Sequence, residues 1–178
     1  MTNPPSFCFE SVPVPEREAK PRRKGLTMMI DWGLPFRLQQ DCLDSQGLYV
    51  DEAKIAASIP RVMPGDMLTK KIEAYKSEAI FTFPGGLFAE VAMAKGRYEA
   101  FLEEASAAGF SGIEVSDNLL TIEPVQKRSA IQKAVREYGL TDHVIYGTDR
   151  TVVACIGDKR MVDKSALAIE EGFCAIPQ

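Results

Sequence analysis

At 178 residues, 46% apolar and 26% charged, the sequence has the length and balance of one globular domain with a sizeable core. Its 21 basic and 25 acidic residues leave a net charge of -4 with the signs mixed along the chain, which excludes the basic excess of a general nucleic-acid binder. No apolar run reaches the ~20 residues of a membrane span, and Pro, Ser and Glu stand where a signal peptide would be apolar, so a cytoplasmic protein without membrane contact is expected.

In chain order, residues 1–20 read as a Pro-rich tail, with Pro4, Pro5, Pro13 and Pro15 removing backbone donors. The basic cluster Lys20, Arg22, Arg23 and Lys24 then leads into the domain, either as a solvated entry or as an anion contact. Leu26 to Asp31 is a short apolar run ending in a carboxylate, as a buried parallel strand would. Leu34 to Leu43 has helical spacing, and Tyr49 to Ala56 is a second, charge-bearing strand. Residues 65–77 form a helix with Met67, Leu68, Ile72 and Tyr75 on one side. Ala79 to Phe83 is a strand stopped by Pro84-Gly85-Gly86. Phe88 to Ala108 is helical in two pieces broken near Gly96, with Tyr98, Phe101, Leu102 and Ala105 as the buried stripe and Gly109 as the stop. Ser111 to Asp117 is a further strand, and Pro124 opens a helix that runs to Tyr138 before Gly139. Beyond it, HVIYG and TVVACIG fit either a hairpin or one long βα connection; residues 163–171 look helical, and FCAI is a last strand or an unsupported end.

Strands and helices alternating every ~25–30 residues imply parallel βαβ units, closed into a barrel or wound into an open sheet. No GxGxxG and no Walker sequence follows a strand. The four cysteines, Cys8, Cys42, Cys155 and Cys174, contain no CxxC pair and read as small reduced thiols; the one histidine, His143, cannot build a metal cage. Chemistry therefore falls to carboxylates and lysines. Asp31, Lys54, Glu90, Glu114, Ser116, Asp117 and Lys159 stand at or just past strand ends, and in a barrel they would converge on one mouth.

The segments RRKGLTMMIDWGLP (Arg22 to Pro35), FPGGLFAEVAMAKGRYEAFLEEASAAGFSGIEVSDN (Phe83 to Asn118) and IGDKRMVDK (Ile156 to Lys164) resemble, in order and spacing, the phosphosulfolactate synthase family, which includes plant heat-stress-associated relatives. The resemblance implies a (β/α) TIM-barrel and a Mg²⁺-dependent addition of sulfite to phosphoenolpyruvate, giving phosphosulfolactate for coenzyme M biosynthesis. It further implies Glu90, Glu114 and Asp31 as metal carboxylates, Lys159 as the acid that protonates carbon, and Lys54 as a balance for the dianion or a contact for the substrate carboxylate. Arg22 or Arg23 would hold sulfite or phosphate, and Ser116 with the Gly85 and Gly86 backbone would contact substrate.

Several positions depart from the family pattern. The glycine-rich stretch after the second-strand lysine is here Ala56-Ala57-Ser58, the hydroxyl residue after the two glycines is Leu87, and Cys155 and Asp158 replace a glutamate and a lysine. Asn118 stands for a glycine but tolerates a left-handed turn better than most residues. Residues 21–178 then read as one barrel-type domain of about five or six βα units, short of eight by the last third of the family barrel. An open barrel leaves unpaired strand edges, so a fragment, a homo-oligomer or a smaller open sheet is expected. The other functional expectation is a non-catalytic relative with a stress-related or interaction role.

Overall fold

The computed structural model describes residues 8–13, 17–22 and 25–140, and the backbone of 145–146. Within them, parallel strands alternate with helices. β1 (Met28–Asp31), β2 (Glu52–Ile55) and β3 (Phe81–Pro84) pair in that order, and β4 (Glu114–Val115) pairs in parallel with β5 (Ile145–Tyr146). The N–H groups of Ser111 and Gly112 both donate to the Thr82 carbonyl, at 2.9 and 3.2 Å, so the approach to β4 runs beside β3. The α/β class with a parallel sheet is as expected. Ile145–Tyr146 lies parallel to β4 with the Pro124–Tyr138 helix between them, a βαβ crossover; whether this run forms a hairpin with TVVACIG lies outside the described residues. The TVVACIG run, the helix expected at 163–171 and FCAI lie outside the described residues.

The connecting helices are α1 (Phe36–Gln46), a four-residue α2 (Ile59–Val62), α3 (Gly65–Ser77), α4 (Gly86–Ala94), α5 (Tyr98–Ala108) and α6 (Pro124–Tyr138). Local signals explain the bounds of α6. Glu123 and Gln126 form a reciprocal capping box at its start, and Gly139 takes the left-handed conformation (φ 61°) that closes its last turn. The 86–108 stretch divides where Gly96 turns left-handed at φ 63°.

Strand register sorts the side chains. Met28, Ile30, Glu52, Lys54, Phe81 and Phe83 share one face of the first sheet, and Met29, Asp31, Ala53, Ile55 and Thr82 share the other, towards the helices. On the helix side Ile55, Leu68, Ile72, Leu102, Ile113 and Val115 belong to the main core; Leu43, Ala53, Tyr75 and Ile80 form a second cluster. One expectation fails on α3. Its buried stripe is Leu68, Lys71, Ile72 and Tyr75, while Met67 is exposed, because 3.6-residue spacing from Leu68 selects 71–72 and 75. Of the described cysteines, Cys42 is half-buried and Cys8 is exposed, both as free thiols. No helix among the described residues is long and apolar enough to cross a membrane.

The tail reading ends earlier than expected, since Arg17 and Lys20 already belong to the domain. Arg17 donates to the carbonyls of Tyr49 and Gly25 and to Asp51; Lys20 donates to the carbonyls of Gly47 and Glu78 at 2.7 and 2.8 Å. Arg22 completes this clamp. Its guanidinium reaches Asp51 at 2.8 Å, the Leu48 carbonyl at 3.0 Å and the Glu18 carbonyl at 2.6 Å. Asp51 also accepts the Thr27 N–H, so the pair ties together the chain just before β1 and β2. Removing the sole partner of a buried charge leaves it uncompensated. Arg17 stays 3.2 Å from Asp51, so Arg22→Met weakens the pairing without stranding the carboxylate and is expected to lower unfolding free energy by about 2 kcal/mol in urea denaturation.

Candidate active site

The C-terminal ends of the strands bring a subset of the candidate residues together. Lys54 leaves β2 on the face opposite the helices, and its ammonium lies 3.0 and 2.8 Å from the two oxygens of Glu114 at the start of β4. Both side chains are more than nine-tenths buried, at 8% and 1% exposed. Glu114 is fixed a second time by the Gly86 N–H, which donates to Oε2 at 2.6 Å from the first turn of α4. A carboxylate at a helix N-terminus also meets the positive end of the helix dipole. Ser116 follows on the same side of β4 and donates its hydroxyl to Glu90. Lys54, Gly86, Glu90, Glu114 and Ser116 thus form one linked cluster, drawn from β2, the β3–α4 turn, α4 and β4.

The two glycines serve this cluster by their size. A Cβ on Gly85 would stand 2.7 Å from the Ala57 nitrogen and 3.3 Å from Lys54 Cε; one on Gly86 would stand 2.5 Å from Ser116 Oγ. Their N–H groups are committed, Gly85's to the Ile55 carbonyl at 2.9 Å and Gly86's to Glu114. The expected oxyanion contact is therefore corrected. These glycines let β2, β4 and α4 approach, and they offer no free donor to substrate.

Asp31 and Arg22 stand apart. Asp31 lies on the helix side of β1, fully buried, with Oδ1 accepting the N–H groups of Gly33 (2.8 Å) and Leu34 (2.7 Å). Its Oδ2 pairs with Lys71 Nζ at 2.8 Å and accepts the Tyr75 hydroxyl at 2.8 Å. Burial pushes the Tyr75 phenol far above its ordinary range, and the adjacent Asp31 charge and hydrogen bond push the same way. Tyr75 is thus held as a neutral donor. Lys71 Nζ also donates to the Leu34 carbonyl at 2.7 Å, so the group sets the β1–α1 loop. Arg22 lies before β1, in the clamp on Asp51, and does not join the strand-end cluster. Arg23 and Lys159 lie outside the described residues, as do Cys155 and Asp158.

These placements bear on magnesium. Asp31, Glu90 and Glu114 each close on a different set of donors, and among the described residues no three His, Cys, Asp or Glu side chains stand together as a metal set. Mg²⁺ needs near-octahedral oxygen ligands, and these three carboxylates already spend all (Asp31, Glu90) or most (Glu114) of their lone pairs on N–H, O–H and ammonium groups. As a set they do not fit the ion.

Sequence reading missed two buried lysines. Lys71 lies on the buried stripe of α3, and Lys127, paired with Asp117 at 3.0 Å, lies on the Lys127–Ile131–Ala134 stripe of α6. A lysine in register with an apolar stripe is the signal for a buried carboxylate partner. A cavity of about 490 Å³ beside α5 and α6 is lined by Met93, Tyr98, Leu120, Ile122 and Lys133 among others; none of the described candidate residues lines it.

The family model described as "(2R)-phospho-3-sulfolactate synthase (ComA)" matches residues 15–172. The chain is 35% identical over 112 residues to the phosphosulfolactate synthase of Methanocaldococcus jannaschii, covering 63% of this chain and 45% of that protein. It is 31% identical over 123 residues to the phosphosulfolactate synthase of Methanothermobacter thermautotrophicus, covering 69% and 48%. It is 29% identical over 112 residues to Protein HEAT-STRESS-ASSOCIATED 32 of Arabidopsis thaliana, covering 60% and 39%. The chain thus spans about half the length, or less, of these curated relatives.

Proposed function

The chain belongs to the (2R)-phospho-3-sulfolactate synthase family, and from that premise we propose that it is a synthase-type enzyme adding sulfite to phosphoenolpyruvate. The observation that carries this reading is the Lys54–Glu114 pair at the strand ends, a lysine held out of bulk water beside a helix start. In the proposed reaction the sulfur lone pair of sulfite forms a C–S bond to the methylene carbon. The double-bond electrons move toward the substrate carboxylate, and a proton then closes the carbon that bears the phosphate, giving phosphosulfolactate. No electron is gained or lost overall. The intermediate gathers negative charge on the carboxylate, so a cation prearranged in a low-dielectric site favours it more than the ground state. Two of the three Lys54 N–H donors suffice for Glu114, which leaves one for that carboxylate. Lys159 is proposed as the proton donor. The two anionic substrates, a magnesium requirement met by ligands other than the Asp31–Glu90–Glu114 trio, a barrel-type fold, a cytoplasmic location and self-association belong to the same proposal.

The test is incubation of the purified protein with sulfite, phosphoenolpyruvate and Mg²⁺, following the new C–S bond by NMR. Formation of phosphosulfolactate is expected. Absence of product, together with no thermal protection by the substrates, would sink the proposal.

A second reading, a non-catalytic relative with a stress-related or interaction role, draws on the loop after Lys54. Ala57 there takes φ 44°, a left-handed conformation that favours glycine, in the stretch where the family resemblance leads one to expect glycines. Ala57→Gly is expected to raise stability by about 1 kcal/mol, read as a higher denaturation midpoint. A gain in turnover in the same variant would favour the enzyme reading.

A further inference from the structure

We infer that Glu90 is the resident anion of a backbone N–H nest and the positioning residue of the loop between β4 and α6, a role that removes it from any metal-ligand set. Glu90 lies on α4 with 1% exposure. Its Oε1 accepts the Asn118 N–H at 3.0 Å and the Ser116 hydroxyl; its Oε2 accepts the N–H groups of Leu119 at 2.5 Å and Leu120 at 2.8 Å. Three consecutive backbone N–H groups aimed at one point form an anion-binding concavity. A carboxylate offers about four lone-pair sites, and here each meets a donor. A cation at this place would face the positive ends of those N–H dipoles and would first have to break the nest.

The consequence for the site runs through the loop. Ser116 leaves β4 beside Gly86, and the next residue, Asp117, pairs with the buried Lys127. Glu90 thus fixes the direction in which the chain leaves β4, just beyond the Glu114 that holds Lys54. Asp31 repeats the arrangement on a smaller scale, taking two successive N–H groups of its own loop. The inference is independent of which anions the protein turns over.

Chemical rescue on the full chain tests it. Glu90→Ala empties the nest of its anion, and amide hydrogen exchange at residues 118–120 is expected to quicken by about tenfold or more, as the loss of charge-assisted hydrogen bonds implies. Formate, a carboxylate small enough for the vacated space, is expected to restore slow exchange in the variant. Sodium chloride and magnesium chloride at equal ionic strength are not. In the wild-type protein, magnesium chloride is expected to leave exchange at 118–120 unchanged. Unaltered exchange in Glu90→Ala, failure of formate to restore it, or a magnesium-induced loosening of 118–120 in the wild type would overturn the inference. Should Glu90→Ala fail to fold, Glu90→Gln supplies the same test at constant volume. Its NH₂ group faces donors, so loss of protection confined to the nest is expected, and unchanged protection there counts against the role.

Discussion

Lys54→Met is expected to abolish the proposed sulfite addition and to destabilise the fold by about 3–5 kcal/mol, because it leaves a buried carboxylate without its cation. Methionine matches the length of the lysine stem, so the cost is electrostatic rather than a cavity. Glu114 would keep the Gly86 N–H and lose both contacts to Nζ. The double variant Lys54→Met/Glu114→Gln separates the two roles. Replacing both charges removes the uncompensated carboxylate, and pairs so neutralised are often no less stable than the original. Most of the lost stability should return in urea denaturation, while product formation stays absent. If the double variant is as unstable as the single one, the pair is not the electrostatic unit described above. If it remains active, Lys54 does not face the reacting anion.

Gly86→Ala is the second large effect, and its sign is informative. Gly86 opens α4 without a left-handed φ, so helix propensity alone predicts a gain of about 0.5–1 kcal/mol on substitution by alanine. Contact geometry predicts the opposite. The new methyl would stand 2.5 and 2.7 Å from Ser116 Oγ and Cβ and 3.0 Å from Glu114 Cγ, and the Cβ and Cγ atoms lie too near the backbone to swing aside. Overpacking of this kind costs about 1–3 kcal/mol, and the displaced Gly86 N–H would also leave Glu114. We expect Gly86→Ala to lower stability by about 3 kcal/mol and to suppress activity by misplacing Glu114, and through it Lys54. Ser116→Gly in the same chain removes the two nearest atoms. A double-mutant cycle should therefore show recovery of part of the loss. A Gly86→Ala variant as stable as the wild type would contradict the close approach of β4 and α4.

The rhythm of strands and helices was readable because it rests on local signals. Residues 65–77 have helical spacing, Pro84-Gly85-Gly86 ends a strand, and Glu123-Pro124 with Gly139 brackets a helix. The membership of the cluster was half readable. Lys54, Glu114, Glu90 and Ser116 stand at strand ends or one turn beyond, and motif spacing finds them. Which of them meet was not readable, because it depends on side-chain parity within short strands. Asp31 and Lys54 occupy similar positions by eye, yet the parallel register puts Asp31 beside Ile55, on the helix side, and Lys54 on the opposite face. Arg22 misled for a related reason. It precedes β1, so it belongs to the N-terminal ends of the strands, where Asp51 waits before β2. Lys71 and Lys127 were missed because composition counts every lysine as a surface charge until its stripe is checked. Asp31, Glu90 and Glu114 do not fit magnesium as a set because N–H, O–H and ammonium donors already occupy them, which no spacing records.

The central claim is that Lys54, held by Glu114, faces the anion that sulfite creates. Its most direct measurement is the ¹³C NMR spectrum of [3-¹³C]phosphoenolpyruvate incubated with sulfite and the full protein, wild type and Lys54→Met/Glu114→Gln side by side. The predicted result is conversion of the methylene signal to that of a sulfonated carbon by the wild type alone. Equal conversion by the folded double variant, or none by a wild-type protein that the substrates also fail to protect from unfolding, would contradict it.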